Sequence, residues 1–331
     1  MRSLWLSAVL ALALSAPSAK AEEIIVSSVH RPDYPSVQAM TMMGRLLSAN
    51  TGGRLRVAVL PKRGTSDRFD IQEVRNGTVA MAAVSVAQFN DTVPETIALS
   101  LPFLFESEAH ARATFDGPVG QEVLAALDRA GLVGLCYYDV GDRSMFTMRR
   151  PIRSVEDMKG LRVRALHSEM WQAALEAMGA RPMPLPYEST GAALKSGLID
   201  AAEDNWAAYI SSREHEAAKV YSLTRHTRAP EVLVVSKELW QHLSAQDRKT
   251  VRAAAKESAV WLRRQLDERD ASADRAATAA GVEIIADVDR KSFADAMTPL
   301  YATYAADPVV KELVDRIRSY SPTPKEAREG R

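Results

Sequence analysis

Short β-rich runs alternate with helical runs at the start of the 331-residue chain, and this alternation restricts its fold more than any other feature. "IIVSSV" precedes a segment in which Val37, Met40, Met43 and Leu47 recur at helical spacing. "LRVAVLP" reads as a strand, "DRFDIQEVRNG" as a helix with a glycine stop, and "VAMAAVS" as a buried strand. This order predicts a parallel sheet with crossover helices, an α/β lobe.

The alternation restarts after the connector "VPETIALSLPFLFES", with strands such as "LVGLCYYDV" and "LRVRA" between further helical runs. A chain of this length exceeds the size at which one hydrophobic core usually stops growing. We therefore expect two α/β lobes.

The first 21 residues are typical of an export signal. Arg2 is followed by "LWLSAVLALAL", which is too short to span a membrane, and "SAKA" has the small residues of a signal-peptidase site. We expect cleavage after Ala21 and a periplasmic mature protein. A buried N-terminal helix is the alternative.

The charge balance and the cysteine content exclude several classes of protein. The 42 basic and 42 acidic residues cancel, and removal of Arg2 and Lys20 leaves 40 basic residues against 42 acidic ones. No basic surface for nucleic acid or for an anionic membrane is expected. Cys136 is the only cysteine, so an internal disulfide is impossible, and we expect this residue to pack in a strand.

A run without proline or glycine, from about Ala245 to Ala280, predicts the longest helix of the chain. A helix of about 35 residues spans roughly 50 Å, which exceeds one lobe. It either forms a coiled-coil arm or lies across both lobes, and its alanine-rich apolar face argues against a coiled-coil seam. That face consists of Val251, Ala254, Ala255, Leu262 and Leu266.

The sequence lacks the motifs of common catalytic centres. It has no G-x-S-x-G, H-E-x-x-H, C-x-x-C, P-loop or G-x-G-x-x-G motif, and its six histidines lack the spacing of metal ligands. We therefore expect neither a metal nor a cofactor.

Three arginines are candidates for binding an anion. In "LRVRA", Arg162 and Arg164 alternate with apolar residues and so share one face of the strand. Ligands of open α/β sheets bind at strand ends, and a guanidinium forms bidentate pairs with carboxylates. Arg143, in "GDRSM", is a further candidate donor. A solvent-exposed role is the alternative at each position.

The segment "AEDNWAAY", residues 202–209, brings together two acids, an amide and two aromatic residues. Glu203 and Asp204 are either a catalytic acid–base pair or part of a wall that binds a ligand. Neighbouring residues on a strand point apart, which fits a catalytic pair poorly. We therefore favour the wall, and a secreted lyase or glycosidase that acts on uronic acids is the competing class.

Several of these segments together resemble the DctP family of solute-binding proteins, which serve tripartite ATP-independent periplasmic (TRAP) transporters. The resemblance rests on "LPFLF", on "GDRSMFT" at 141–147, on "MKGLRVR" at 158–164 and on "GLIDAAEDNW". The family implies two lobes that are joined by crossing strands, and one long helix that lies across both. Its members close around an organic acid by a hinge motion and deliver the acid to a membrane permease.

The family resemblance also implies roles and boundaries. The last arginine of "GLRVR", here Arg164, clamps the ligand carboxylate in the family, and Arg143 matches a second arginine near the ligand. A monomer without enzymatic activity is expected. The expected divisions are a signal peptide at 1–21, the first part of lobe I at 22–142, lobe II at 143–230, and a crossing strand, long helix and C-terminal helices shared between the lobes at 231–331.

A narrower similarity is to the branch that binds hexuronates such as galacturonate and glucuronate. It rests on "DYPSVQA", "EDNWAAY", "YSLTRH" and "APEVLVVSKELW". A sugar acid needs a carboxylate clamp, partners for its hydroxyl groups and a flat face for its C–H side. Arg164 is the expected clamp, Asp33, Glu203 and Asn205 are the expected hydrogen-bonding partners, and Trp206 is the expected flat face.

One position departs from that branch, because Asp204 stands where "ENNW" has its first asparagine. An ionised carboxylate only accepts hydrogen bonds, and it repels a bound carboxylate unless a cation such as Arg164 intervenes. We therefore expect Asp204 to tune which acid fits. A different organic acid is an open alternative.

Four further side chains complete the candidate site. His30 ends the first strand, Glu73 lies near a helix end, Gln88 stands in "SVAQFN" and Tyr187 stands in "LPYES". Their alternatives are a structural histidine, a solvated glutamate and a core tyrosine whose hydroxyl reaches the rim.

Overall fold

Eleven strands form two separate β-sheets in the described residues of this computed structural model, which are 22–63, 66–270 and 273–320. The predicted signal peptide and its cleavage site lie outside these residues. The strands are β1 (Glu22–Ser28), β2 (Leu55–Pro61), β3 (Met81–Ser85), β4 (Leu132–Tyr138), β5 (Arg143–Thr147), β6 (Arg162–Ala165), β7 (Arg181–Pro184), β8 (Ala201–Asn205), β9 (Val220–Thr227), β10 (Glu231–Ser236) and β11 (Glu283–Ile285).

Helices cover the faces of both sheets. They are α1 (Pro35–Asn50), α2 (Asp67–Arg75), α3 (Glu108–Asp116), α4 (Pro118–Ala126), α5 (Glu169–Ala177), α6 (Thr190–Ser196), α7 (Trp206–Ser211), α8 (Lys237–His242), α9 (Ala245–Asp270), α10 (Ala273–Ala280), α11 (Arg290–Ala296), α12 (Thr298–Tyr304) and α13 (Pro308–Ser319). Short 3-10 helices occupy Val86–Phe89, Pro94–Leu99, Leu127–Ala130, Val155–Met158, Tyr187–Ser189 and Glu214–Glu216. Within the described ranges, no helix is long and apolar enough to cross a membrane.

Each sheet contains one strand that runs against its neighbours. The first sheet has the order β2-β1-β3-β10-β4, in which β10 is antiparallel to β3 and β4 while β1 is parallel to β2 and β3. The second has the order β11-β9-β5-β8-β6-β7, in which β5 is antiparallel to β9 and β8. The chain therefore crosses to the second sheet between β4 and β5 and returns between β9 and β10. The prediction of two α/β lobes is confirmed.

Helix α1 packs its predicted apolar face against β2 and α9. The buried residues of this face include Val37, Met40, Met43 and Leu47. A Cβ atom added at Gly44 would lie 2.8 Å from the Cβ of Val57 on β2, so the absence of a side chain allows this close approach. Cys136 lies buried in β4, as predicted, and burial raises the pKa of its thiol.

The predicted long helix corresponds to two helical segments, α9 and α10, with residues 271–272 outside the described ranges. The predicted apolar face of α9, including Val251 and Leu262, is buried against α1 in the core of the first lobe, which excludes a free coiled-coil arm. Helix α10 contacts β11, and Ala277 packs in the core of the second lobe. The two segments together therefore lie across both lobes.

A buried ionic network joins the two crossing segments. Asp139 follows β4, and its Oδ2 accepts a hydrogen bond from Arg112 Nε at 2.7 Å, while its Oδ1 accepts one from Arg228 Nε at 2.9 Å. Arg112 continues to Asp267 on α9 at 2.8 Å. Burial alone would raise the pKa of Asp139, but Arg228 and Arg112 outweigh it and hold this pKa well below its usual range.

We expect Asp139→Asn to lower the free energy of unfolding by about 3–5 kcal/mol, because two buried guanidinium groups lose their shared counter-ion. Urea denaturation of the mature protein at neutral pH measures the change. Asp142→Asn is the matched control: Asp142 also pairs with Arg228, at 3.1 Å, but its side chain is 37% exposed, so a loss below about 1 kcal/mol is expected. Equal losses in both variants would contradict the role of burial.

Candidate ligand-binding site

A pocket lies between the two sheets, beside both crossing segments. The first lobe contributes residues that follow β1 and β3 and the first residue of β10. The second lobe contributes residues of β5, β6 and β8 and of the loop that follows β7. Ligands bind at such strand ends in open α/β sheets. Six of the predicted site residues line the pocket: His30, Gln88, Arg143, Arg164, Tyr187 and Asp204.

Arg164 brings a buried positive charge to this pocket. Its neighbours on β6, Val163 and Ala165, are fully buried, and only 4% of Arg164 is exposed. Its Nε donates a hydrogen bond to the carbonyl oxygen of Leu185 at 3.2 Å, and the guanidinium carbon lies 5.9 Å from the ring centroid of Tyr187. Among the described residues, no carboxylate oxygen lies within 4.0 Å of its nitrogen atoms.

Other buried arginines each have a carboxylate partner in the same structure. Arg112 and Arg228 share Asp139, and Arg263 pairs with Asp116 at 2.6 Å. A buried charge without a counter-ion is costly, whereas a guanidinium beside a carboxylate gains two charge-assisted hydrogen bonds. Arg164 therefore has the environment of a group that binds an external anion.

Arg143, by contrast, is held by two carboxylates of β8. Its Nε lies 2.6 Å from Glu203 Oε2, and its Nη1 lies 2.7 Å from Asp204 Oδ1. The antiparallel pairing of β5 with β8 places Arg143 opposite Asn205, beside both acids. Arg143 thus supplies the cation that offsets Asp204, a role that the sequence suggested for Arg164 or another cation.

Glu203 and Asp204 do not face one ligand together. Glu203 is buried against Arg143 and lies 3.4 Å from His226 Nε2, whereas Asp204 lines the pocket. Burial alone would raise the pKa of Glu203, but Arg143 and His226 outweigh it and lower this pKa. Burial, together with the charge of Glu203, raises the pKa of Asp204 despite Arg143. Glu203 and Asp204 thus do not line the pocket as a pair.

The first lobe faces the pocket with hydrogen-bond acceptors. Asp67 begins α2, and its Oδ2 accepts a hydrogen bond from the Ser85 amide at 3.1 Å. Glu231 begins β10, and its Oε1 lies 2.9 Å from His30 Nε2. Glu231 Oε2 and Gln88 Oε1 are buried without a hydrogen-bond partner among the described residues. These oxygens are free to accept hydrogen bonds from ligand hydroxyl groups.

His30 joins the aromatic part of the wall. Its ring stacks on Tyr34 at a centroid distance of 3.8 Å and meets the edge of Tyr187 at 4.9 Å. Burial alone would lower the pKa of His30, but Glu231, with smaller contributions from Asp67 and Asp204, outweighs it, so this pKa is raised. A positively charged His30 is therefore stabilised by its acidic neighbours.

Five predicted site residues do not line the pocket: Asp33, Glu73, Glu203, Asn205 and Trp206. The side chain of Asp33 is 65% exposed, and Glu73 pairs with Arg63 at 2.7 Å. Asn205 uses its side chain to cap α7, accepting from the Ala208 amide at 2.9 Å and donating to Tyr34 Oη at 2.9 Å.

Trp206 does not line the pocket, although it was the expected flat face. It is the first residue of α7, and its ring packs 5.4 Å from Tyr209 and 5.2 Å from Tyr221. Together with Asp33 and Asn205 it lines a separate groove near α9 and α10. Tyr187 is the aromatic ring that borders the pocket beside Arg164.

Two acidic residues of the pocket were missed at the sequence level, Asp67 and Glu231. Asp67 follows Ser66, the N-cap of α2, so it looked like an ordinary acidic residue of a first helical turn. Glu231 precedes the apolar run "VLVV" of β10. A charged residue at the start of a strand that is otherwise apolar was the one sign in the sequence that Glu231 has a functional role.

Asp70 is a buried carboxyl group of α2 close to this pocket. Its Oδ1 accepts a hydrogen bond from Ser27 Oγ at 2.6 Å. Burial raises the pKa of Asp70 from 3.8 to about 6, although the bond from Ser27 opposes this effect. Because the folded-state pKa lies above the unfolded value, the folded protein binds more protons, and stability decreases as the pH rises through this interval.

The described residues show no group of three or more histidine, cysteine, aspartate or glutamate side chains that could hold a metal ion. Two α/β lobes, two crossing segments and a pocket at the strand ends between the lobes are the architecture of a two-lobe solute-binding protein. The sequence model of bacterial extracellular solute-binding protein family 7, DctP, matches residues 26–307. The chain belongs to this family, and the predicted relationship is confirmed.

Solved structures support this assignment. The chain is 44% identical to a TRAP periplasmic solute-binding protein from Bradyrhizobium sp. btai1 b in complex with α/β-D-galacturonate, with a TM-score of 0.87 over 90% of this chain and 100% of that one. A second such protein, from Xanthobacter autotrophicus Py2 with bound β-D-galacturonate, is 37% identical, with a TM-score of 0.86 and the same coverage. The 2,3-diketo-L-gulonate-binding periplasmic protein YiaO of Escherichia coli K12 is 33% identical over 76% of this chain and 77% of its own.

We expect the free energy of unfolding to fall by about 1 kcal/mol more between pH 5 and pH 7 in the wild-type protein than in Asp70→Asn. The wild-type folded state releases the Asp70 proton over this range, and the variant has none to release. Urea denaturation at the two pH values measures both changes. An identical pH dependence in the two proteins would rule out a raised pKa of Asp70.

Arg143 and Arg164 are expected to affect the ligand-free protein in opposite ways. Arg143→Ala leaves two buried carboxylates without their cation and lowers the free energy of unfolding by about 3–5 kcal/mol. Arg164→Ala removes a buried charge that has no carboxylate oxygen within 4.0 Å in the described part of the chain, so stability should be unchanged or higher. Urea denaturation after extensive dialysis distinguishes the two. A large loss in Arg164→Ala would show that Arg164 has an internal anionic partner.

Proposed function

We propose that this protein captures a hexuronate, D-galacturonate or D-glucuronate, in the pocket between its lobes and delivers it to the membrane permease of a TRAP transporter. The observation that carries this proposal is the buried guanidinium of Arg164, which has no carboxylate partner among the described residues. The bound hexuronates of the two Bradyrhizobium and Xanthobacter proteins support the choice of ligand.

In the proposed binding mode the ligand carboxylate pairs with Arg164. The ligand hydroxyl groups donate hydrogen bonds to Asp67, Asp204 and Glu231, and the ring of Tyr187 borders the C–H side of the sugar. Three features support this mode: the Oε2 atom of Glu231, which has no hydrogen-bond partner among the described residues, the aromatic contact of Tyr187 with His30, and the position of all these groups on the pocket wall.

Ligand binding also provides a reason for the lobes to close. Arg164 and Asp204 belong to the second lobe, whereas Asp67 and Glu231 belong to the first. A ligand that contacts both sets binds the closed form better than the open form, and this difference in affinity shifts the equilibrium towards closure.

The proposal also covers the export of the protein, its oligomeric state, its lack of catalysis and its division into lobes. The protein is exported through a signal peptide that is cleaved after Ala21, acts in the periplasm as a monomer, and performs no catalysis and uses no cofactor. The lobes are divided at residues 142/143 and 230/231. The start of β5 at Arg143 and of β10 at Glu231 supports these divisions.

A different sugar acid is the second candidate, and Asp204 is the residue that favours it. Its carboxylate stands where the hexuronate-binding branch has an amide, which removes a hydrogen-bond donor from the pocket wall. A TRAP periplasmic solute-binding protein from Polaromonas sp. JS666, 28% identical with a TM-score of 0.87 over 91% of this chain and 99% of its own, was solved with D-erythronate bound.

Isothermal titration calorimetry of the mature protein tests the proposal. D-Galacturonate or D-glucuronate is expected to bind, whereas D-galactose, which lacks the carboxylate, is not. Arg164→Ala should weaken binding by about 30- to 1000-fold, because the ligand carboxylate loses its buried partner.

Arg162→Ala is the matched control from the same strand. Arg162 pairs with Asp200 at 2.6 Å and lies outside the pocket, so its removal should leave the affinity within about threefold. Absence of heat with both hexuronates would overturn the ligand assignment. An unchanged affinity in Arg164→Ala would remove this residue from the site.

A further inference from the structure

Three carboxyl groups line the pocket, whereas most of its basic side chains already lie beside a carboxylate. Asp67, Asp204 and Glu231 line it, and three of its basic side chains, Arg143, His30 and Arg68, are already within 4.0 Å of a carboxylate. His167 also lines the pocket, but burial, with the charges of Arg68 and Arg164, lowers its pKa and favours the neutral form. Arg164 is the remaining cation of this wall.

The three acidic groups differ in how far a basic neighbour offsets their charge. Asp67 has no basic nitrogen atom within 4.0 Å in the described part of the chain, and its Oδ2 accepts from a backbone amide. Glu231 pairs with His30 through Oε1, and its buried Oε2 has no hydrogen-bond partner among the residues that the structure describes. Asp204 Oδ1 accepts from Arg143 and from the Asn205 amide.

A second carboxylate on a ligand would therefore face carboxylates. With one carboxylate on Arg164, the other end of a six-carbon acid meets acceptor oxygens, which suit hydroxyl donors. A carboxylate at that end donates nothing, and like charges across an interface cost several kcal/mol.

We propose that this pocket is specific for acids with a single carboxylate and a hydroxylated remainder, and that Asp67 and Glu231 reject aldarates, which carry a carboxylate at both ends. This inference rests on the proposed function, because it assumes that the carboxylate of a sugar acid binds Arg164. It adds which members of the sugar-acid class are excluded and which residues exclude them.

Calorimetry with two open-chain acids isolates the second charge. D-Galactonate and galactarate share one carbon skeleton and differ in one end group, which is a hydroxymethyl in the former and a carboxylate in the latter. Galactonate is expected to bind at least about 100-fold more tightly than galactarate. Equal affinities, or equally absent binding of both acids while galacturonate binds, would overturn the proposal. Failure of both galacturonate and glucuronate would instead count against the proposed function.

Charge-neutralising variants identify the residues responsible. Asp67→Asn and Glu231→Gln each keep the size of the side chain and remove one negative charge from the pocket. In at least one of them the affinity ratio of galactonate to galactarate should fall about tenfold or more.

Asp33→Asn is the matched control, because it removes the same charge from an exposed side chain outside the pocket. Its affinity ratio should equal that of the wild-type protein. A ratio that stays constant in both pocket variants would refute the assignment to Asp67 and Glu231. An equal fall in the control would show that the effect comes from the overall charge of the protein.

Discussion

A buried positive charge with no carboxylate oxygen within 4.0 Å among the described residues is the constraint on which the arrangement of this site depends. Arg164 is fixed in that position by its strand, because Val163 and Ala165 on either side of it are buried in the lobe core. The fold therefore holds a buried guanidinium at the pocket wall without a carboxylate in contact among the described residues, which costs free energy unless an anion binds there.

The other buried arginines differ from Arg164 because each has a carboxylate partner within the protein. Arg112 and Arg228 are satisfied by Asp139 and hold the crossing segments together. Arg143 is satisfied by Glu203 and Asp204 and holds two strands of the second sheet together. These internal pairs remain formed without a ligand, so the protein can leave one guanidinium unpaired and still fold around it.

Periodicity made the fold predictable, and it also predicted that Arg164 lies on a strand. The apolar faces of α1 and α9 and the strands of both lobes follow from spacing alone, since burial on one face requires it. The spacing of apolar residues also predicted that Arg164 lies near the end of a strand. It could not reveal that this residue, unlike Arg162, lacks a carboxylate partner, because Asp200 is distant in sequence.

The remaining site residues depended on geometry that spacing does not contain. Trp206 begins a helix just after a strand, and the direction of such a residue depends on how the helix turns away from the sheet. The side chain of Asn205 caps that helix by accepting a hydrogen bond from the Ala208 amide. Asp67 and Glu231 line the same pocket as Arg164 from the other lobe, and neighbours that are distant in sequence have no local pattern in the chain.

The route of the chain between the lobes has a mechanical consequence. Two crossing segments join the lobes, and the helical segments α9 and α10 span them as well. A lobe that is joined to its neighbour at one point could rotate about any axis, whereas a lobe that is joined at several points can rotate about fewer axes. Several connections therefore restrict rotation of one lobe relative to the other more than a single connection would.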